Sequence, residues 1–161
     1  ASVDVAYARF LFQHLAQPLA ALAEMRRVVR PGGLVLVGDT DDGGLLVFPA
    51  PEGFDRFLAA SHEAQAARGG DRAVGRKLRG HLLSAGLDDV RVATRALSSE
   101  DIGPAALVAI AVGFKAGVLR EPFIAASEVA RIQRDLTALA GRPEFFGHAL
   151  GYLASGRRPR D

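Results

Sequence analysis

The sequence contains no cysteine and no tryptophan, and lysine occurs only at Lys77 and Lys115. The absence of cysteine excludes disulfide bonds, thiolate metal sites and thiol catalysis together. No charged and then apolar leader is present, and no apolar run approaches the ~18 residues of a membrane-spanning helix. We therefore expect a cytoplasmic protein with no membrane partner.

The composition is that of a folded domain. A chain of 161 residues with an apolar fraction of 49% can bury a sizeable core. The net charge is +2, and arginine is spread along the chain except for the tail at 157–160. A nucleic-acid binder more often clusters basic residues with aromatics on one face, so we expect no nucleic-acid partner and a solvated tail.

The first 39 residues predict a strand, a helix and a second strand. The apolar run at 3–7 is typical of a strand buried on both faces of a sheet. Pro18 can open a helix with apolar residues at helical spacing, and Pro31-Gly32-Gly33 is predicted to end it. A second apolar strand at 34–37 then ends at Gly38-Asp39. Two buried strands joined through a helix pair in parallel, which predicts an α/β fold.

Ligands of such sheets bind beyond the carboxyl ends of the strands. We therefore expect Ala8 to His14 to lie beside Asp39 to Asp42 at any active site. Residues 40–44 are predicted to form a turn, in which the aspartates bond their own backbone. The same carboxylates can alternatively grip a cation or a substrate amine. We expect no metal site, because a hard cation needs several more oxygen ligands.

The remaining elements follow from helical or alternating apolar patterns. Helices are predicted from 54 to about 67, over 75–85, from Pro104, and from a Ser127 cap to Gly141. Strands are predicted at 90–94, at a sheet edge, and at 145–153.

Several of these residues together resemble the middle of the class I S-adenosylmethionine-dependent methyltransferases. The resemblance is carried by Ser2-Val3-Asp4-Val5-Ala6-Tyr7, Arg9, Gln13-His14-Leu15, Pro18, Leu22, Met25-Arg26-Arg27-Val28, Arg30-Pro31-Gly32-Gly33 and Asp39. It continues more weakly through residues 82–87 and 156–159. It implies a partial Rossmann-like methyltransferase sheet made of the family's fourth to seventh strands, with flanking and inserted helices. The last strand would lie antiparallel between the second and third strands of this chain.

Two parts of the family's pattern have no counterpart in these residues. They are the glycine-rich loop that receives the cofactor and the acidic residue that holds the ribose. We therefore expect residues 1–161 to be a single domain, the C-terminal part of a methyltransferase fold without its glycine-rich half. S-adenosylmethionine should bind to this chain alone weakly or not at all.

The resemblance also implies site residues. The loop after Tyr7 would border the methionine part of the cofactor, which gives five candidate contacts: Ala8, Arg9, Phe10, Gln13 and His14. Arg9 would either pair with a carboxylate or tie the loop to the sheet. His14 is the candidate general base, because an imidazole titrates in the right range, although a structural hydrogen bond is the competing role.

Four further residues are candidate substrate contacts: Asp39, Asp41, Phe54 and Phe57. In the family, a helix inserted after the second strand of this chain helps to cover the substrate pocket. Phe54 and Phe57 would lie on that helix, or they would be ordinary core contacts.

Three functions remain open. The first is methylation of a small-molecule metabolite at oxygen, nitrogen or carbon. The second is a non-catalytic remnant that self-associates, or binds a partner such as the missing N-terminal half, through an exposed sheet edge. The third is half of a nicotinamide-dependent dehydrogenase, which no G-x-G-x-x-G sequence supports.

Overall fold

The computed structural model describes residues 2–160 and divides the chain into two compact units. The first unit contains the chain up to Asp41, the segment Arg68–Arg95 and the chain from Gly151 onward. The second unit contains Asp42–Ala67 and Ala96–Leu150.

A strand, a helix and a second strand open the chain. Their bounds are Val3–Arg9 for β1, Pro18–Val28 for α1 and Val29–Phe48 for β2. β1 pairs with β2 in parallel, in a register that runs from Val5 against Leu34 to Arg9 against Gly38. The predicted parallel pair joined through a helix is therefore confirmed, and Pro18 opens the helix as expected. The predicted burial of the first strand on both faces is wrong, because Val3, Val5 and Tyr7 of this edge strand are 39%, 49% and 58% exposed.

The other elements follow the predicted order. They are α2 (Phe54–Ala66), α3 (Leu78–Ser84), β3 (Asp88–Ser98), α4 (Ser99–Ile102), α5 (Pro104–Val108), α6 (Phe114–Ala116), α7 (Ala126–Leu139) and β4 (Phe146–Arg157). Single 3-10 turns occur at Phe12–His14 and Gly75–Lys77, and a π turn occupies Ala109–Gly113. The predicted cap at Ser127 is wrong, because α7 begins at Ala126 with no side-chain cap.

The prediction that Pro31-Gly32-Gly33 ends the first helix is also wrong. The helix ends at Val28, and residues 30–33 form a bulge inside β2. Val3 faces Val29 and Val5 faces Leu34, so β2 advances by five residues where β1 advances by two. An added Cβ at Gly33 would lie 2.8 Å from the carbonyl oxygen of Asp4. Glycine at this position therefore permits the two backbones to approach each other.

The predicted turn at 40–44 is wrong as well. β2 continues without a break to Phe48. In the second unit Gly44 lies directly against the side chain of Leu150, with no room for a Cβ. Pairing with a long neighbouring strand thus outweighs the local turn preference of the aspartates and glycines.

The four strands form one sheet in the order β1-β2-β4-β3. Near the start of β2, the Gly32 N–H donates to the carbonyl oxygen of Arg158, the residue that follows β4, at 2.9 Å. Near its end, the Leu46 carbonyl oxygen of β2 lies against Gly147. β4 therefore runs antiparallel to β2, between β2 and the edge strand β3, as the resemblance implied.

Each unit has its own hydrophobic core. In the first unit α1 and α3 cover one face of the strands, and the core contains Phe12, Leu22, Val35, Val37, Leu78 and Leu82. In the second unit the core lies between α2, the α5 segment and α7, and it contains Phe54, Phe57, Leu107, Ile132 and Leu136.

We expect Gly33→Ala to destabilise the protein, because the new Cβ would collide with the Val29 side chain and the Asp4 carbonyl oxygen. Overpacking of this kind costs about 1–3 kcal/mol. The free energy of unfolding in urea, followed by circular dichroism, measures the effect.

The matched control is Gly80→Ala, on α3, where an added Cβ meets no atom within 4 Å. This variant should be neutral or gain up to ~1 kcal/mol from helix propensity. Equal unfolding midpoints for the two variants would contradict a steric role for Gly33.

Candidate functional site

The carboxyl end of β1 lies beside Gly38 and Asp39, in the middle of β2, and this place is here called the rim. Arg9 and Gly38 are the last paired residues, and the Phe10 N–H donates to the Gly38 carbonyl oxygen at 2.9 Å. Residues 10–14, here called the rim loop, follow directly. The predicted juxtaposition of the two segments is therefore present in the structure.

Asp39 fastens the rim loop to β2, at the point where the pairing of β2 with β1 stops. Its side chain is almost fully buried, at 1% exposed. Oδ2 accepts the Gln13 N–H at 3.1 Å, and Oδ1 accepts the Thr40 N–H at 2.9 Å. Burial raises the pKa of the Asp39 carboxyl above its ordinary value, while the backbone donors of Thr40 and Gln13 act in the opposite direction. Both carboxylate oxygens thus hold backbone, which differs from the predicted contact with a substrate.

Two exposed side chains, Arg9 and Phe10, lie where β1 passes into the rim loop. Phe10 is 52% exposed and has a φ of +54°, a left-handed conformation that is unusual for a bulky residue. The Arg9 guanidinium lies over the Phe10 ring, 5.0 Å from its centre. Ala8, on the strand just before, is half-buried. Strained backbone of this kind occurs preferentially at ligand sites.

Gln13 and His14 differ in exposure. Gln13 is buried, and its Oε1 accepts a hydrogen bond from Arg72 Nη1 at 3.0 Å. Its carbonyl oxygen accepts the Asp71 N–H at 2.8 Å. His14 is exposed, and its backbone N–H donates to the Leu11 carbonyl oxygen at 2.9 Å. The rim loop is therefore tied to residues 71–72 by Gln13 and presents His14 at the surface.

Sequence reasoning did not identify Arg72. No periodicity or motif joins it to Gln13, since the two residues are 59 positions apart.

Asp41 is bound by an arginine of the same unit. Arg76 donates from Nε at 2.6 Å and from Nη2 at 2.7 Å, so the pair is bidentate. The Asp41 side chain is fully buried, and its hydrogen bond and charge raise the pKa of the Arg76 guanidinium. The predicted substrate contact at Asp41 is thus engaged by the protein itself.

The remaining candidates lie in the second unit. Phe54 and Phe57 are 5% and 0% exposed, and their rings stack with centres 6.3 Å apart. Their burial favours the core role that the sequence left as an alternative. Asp42 lies 3.4 Å from the buried Lys115 ammonium, which also donates to the Ile110 carbonyl oxygen at 3.0 Å.

Within residues 2–160, no helix is long and apolar enough to cross a membrane. In the same range, no three histidine, aspartate or glutamate side chains converge in a way that would hold a metal ion.

Comparison with known proteins gives a partial sequence match. A family model described as a methyltransferase domain matches residues 1–37. An uncharacterized 37.1 kDa protein of transposon Tn4556 from Streptomyces fradiae is 46% identical over 46 residues, which cover 29% of this chain and 13% of that protein.

Solved structures match nearly the whole chain. A candidate methyltransferase from Bacillus halodurans gives a TM-score of 0.50 at 15% identity, over 98% of this chain and 65% of that one. The [4+2]-cyclase SpnF gives a TM-score of 0.50 at 17% identity, over 99% of this chain and 52% of that one. At these identities the likeness establishes the fold alone. The chain spans less than two thirds of the length of each of these three proteins.

The sequence match covers β1, α1 and the first part of β2, the elements that build the rim. The sheet order and the antiparallel β4 agree with the fold implied by the resemblance. Residues 1–37 are therefore similar to a methyltransferase domain, and the described chain has a Rossmann-like α/β fold of the kind found in the solved structures above.

Proposed function

We propose that this chain supplies the C-terminal part of an S-adenosylmethionine-dependent methyltransferase that acts on a small molecule. The observation that carries the proposal is the rim loop, held by the buried Asp39 carboxylate against β2 just beyond the carboxyl end of β1. In open α/β sheets, ligands bind beyond the carboxyl ends of the strands, which is the place that this contact shapes.

The residues at the rim fit part of a cofactor site. Phe10 offers an exposed aromatic face, Arg9 adds a positive charge beside it, and the small side chain of Ala8 leaves space at the strand end. Gln13 and His14 complete the cofactor-contacting set that we propose. S-adenosylmethionine, when bound, supplies a methyl group that its positively charged sulfur activates for transfer.

For methyl transfer, the protein mainly has to hold the reactants in the correct positions. The attacking atom must be aligned with the methyl group, and its proton must be removed. We assign the proton removal to His14, because it is the histidine of the rim loop and its side chain is exposed at that rim. Arg9 and Phe10 would align the reactants by charge and by ring contact.

The other candidates act through protein structure in this proposal. Asp39 positions the rim loop, and Asp41 positions Arg76 and the turn at Gly75–Lys77. Phe54 and Phe57 stabilise α2 from within the core of the second unit.

The rest of the site would come from strands that pair with the free edge of β1. β1 is an edge strand whose side chains Val3, Val5 and Tyr7 are 39%, 49% and 58% exposed. An open apolar edge strand is a template for further pairing. Since residues 1–161 contain no glycine-rich strand-to-helix turn, we propose that such a turn lies on the strands that pair there.

The competing function uses the same edge without catalysis. A non-catalytic remnant would pair β1 with a second copy of the chain or with another protein. Sedimentation velocity over a dilution series separates the two. A dimer that Val5→Lys dissociates would favour the remnant, whereas a strictly monomeric chain would count against it.

We expect the chain alone to bind S-adenosylhomocysteine weakly, with a dissociation constant of ~1 mM or more, because half of the pocket is supplied from elsewhere. A constant of 1 mM corresponds to about 4 kcal/mol of binding free energy. Isothermal titration calorimetry provides the measurement. Binding with a micromolar constant would refute the half-site proposal.

We expect Asp39→Asn to loosen the rim loop, because an amide offers one acceptor oxygen where the carboxylate accepts two N–H groups. A hydrogen bond to a charged group contributes about 1.5–3 kcal/mol, so the Gln13 amide should exchange at least ~10 times faster. Hydrogen exchange followed by NMR reports the change residue by residue.

The matched control is Asp88→Asn, an exposed aspartate at the start of β3. Asp88→Asn removes the same charge, and it should leave the hydrogen-exchange rate of the Gln13 amide unaltered. If both variants protect Gln13 as well as the wild type does, Asp39 does not position the rim loop.

A further inference from the structure

Arg72 carries a positive charge for which the described chain provides no acid. It lies in the loop before the 3-10 turn at Gly75–Lys77 and is partly buried. Its hydrogen bond within residues 2–160 runs from Nη1 to Gln13 Oε1. The ion pairs of the described chain do not include it.

The neighbouring cations are already paired. Arg76 forms its bidentate pair with Asp41, and the Lys77 ammonium lies 2.6 Å from the Asp71 carboxylate. The nearby acids are therefore engaged, and neither of them neutralises Arg72.

The guanidinium of Arg72 is also incompletely hydrogen-bonded. Its Nε is buried and meets no acceptor within the described residues. A buried donor without an acceptor is costly, and native structures usually have a reason for one. Because Gln13 occupies Nη1, the edge formed by Nε and Nη2 has no protein partner within the described residues, and a ligand reaches the buried Nε when the loop at 71–74 opens. This is the edge that binds a carboxylate through two parallel hydrogen bonds.

The protein holds this edge in place at the rim. Gln13 fixes Nη1, and the Asp71 N–H donates to the Gln13 carbonyl oxygen at 2.8 Å. Asp71 in turn accepts the Ala73 N–H at 2.8 Å, which sets the turn of the loop. Arg72 is thus positioned against the same rim loop that carries His14.

We propose that Arg72 binds a carboxylate of the ligand at the rim and that Gln13 is its positioning residue. A carboxylate carries one negative charge, which the single Arg72 guanidinium can match. A phosphate usually binds several cations, and residues 71–77 offer no second cation without an acid. The carboxylate belongs either to the methionine part of the cofactor or to an acidic substrate. This inference rests on the proposed function and adds the class of ligand to it.

The experiment uses the 15N-labelled chain and follows the Arg72 Nε–H and Gln13 amide signals by NMR. Sodium acetate and S-adenosylhomocysteine are the probes, with sodium chloride at equal ionic strength as the reference. We expect a saturable shift of both signals that chloride does not produce.

Arg72→Lys keeps the positive charge but removes the two parallel N–H donors of the guanidinium. The midpoint for the shift of Gln13 should rise at least about tenfold in this variant. Arg91→Lys, the same change at an exposed arginine of β3, should leave the midpoint unchanged. A midpoint that Arg72→Lys does not alter, or shifts that chloride reproduces, would overturn the proposal.

Methylthioadenosine, which lacks the amino-acid part of the cofactor, distinguishes the two sources. If S-adenosylhomocysteine displaces acetate and methylthioadenosine does not, the carboxylate is that of the cofactor. If acetate binds with the same midpoint in the presence of S-adenosylhomocysteine, the carboxylate is that of an acidic substrate.

The two proposals can fail separately. Arg72-dependent acetate binding in a full-length protein that transfers no methyl group would contradict the proposed function alone. Methyl transfer by a protein whose Arg72→Lys variant binds both probes like the wild type would contradict the Arg72 inference alone.

Discussion

The buried contact between Asp39 and the Gln13 backbone joins the two segments on which the candidate site depends. Parallel pairing of β1 and β2 brings Arg9 beside Gly38, but pairing alone would leave the chain after Arg9 free to move. The Asp39 carboxylate accepts an N–H from the loop and another from Thr40, so loop and strand become one structure. Such a group is expensive to bury unless it is fully hydrogen-bonded, and its raised pKa reflects that cost.

The ion pairs near this contact differ in how deeply their charged groups are buried. The bidentate Arg76–Asp41 pair has a fully buried acid, and removing Arg76 would leave that charge uncompensated. The Lys77–Asp71 pair is more exposed, and contacts of that kind contribute little to stability. Lys77 nevertheless helps to lower the pKa of Asp71, against the opposing effect of burial. Arg72, between Asp71 and Arg76 in the chain, takes part in neither pair, and we propose it as a cation for a carboxylate ligand.

Local sequence patterns predicted the elements well and their boundaries less well. The apolar strands and the Pro18 helix are determined by near neighbours, so periodicity found them. The glycines at 32–33 were predicted to end the helix, but Gly33 instead permits the close approach of Asp4, a contact between strands. Residues 40–44 have the composition of a turn and are nevertheless strand, because β4 pairs alongside.

The sequence predicted where in the sheet the candidate site lies, but not which side chains bind one another there. The predicted ends of the two strands located Ala8 to His14 and Asp39, since parallel strands share their carboxyl edge, although β2 continues to Phe48. The partners of the aspartates were not predictable, because Arg72 and Arg76 come from a distant segment that no motif connects to the rim. Phe54 and Phe57 lie on one helical face either as core or as pocket residues, and only their burial in the folded chain separates the two.

The central claim is that the rim loop and the Gly38-Asp39 segment of β2 form one side of a cofactor site. Backbone chemical-shift perturbation by S-adenosylhomocysteine tests it most directly, because NMR detects binding in the millimolar range. The account predicts that the largest shifts fall at residues 8–14 and at Gly38 and Asp39. Shifts concentrated in the second unit or on β3, or none at millimolar ligand, would contradict it.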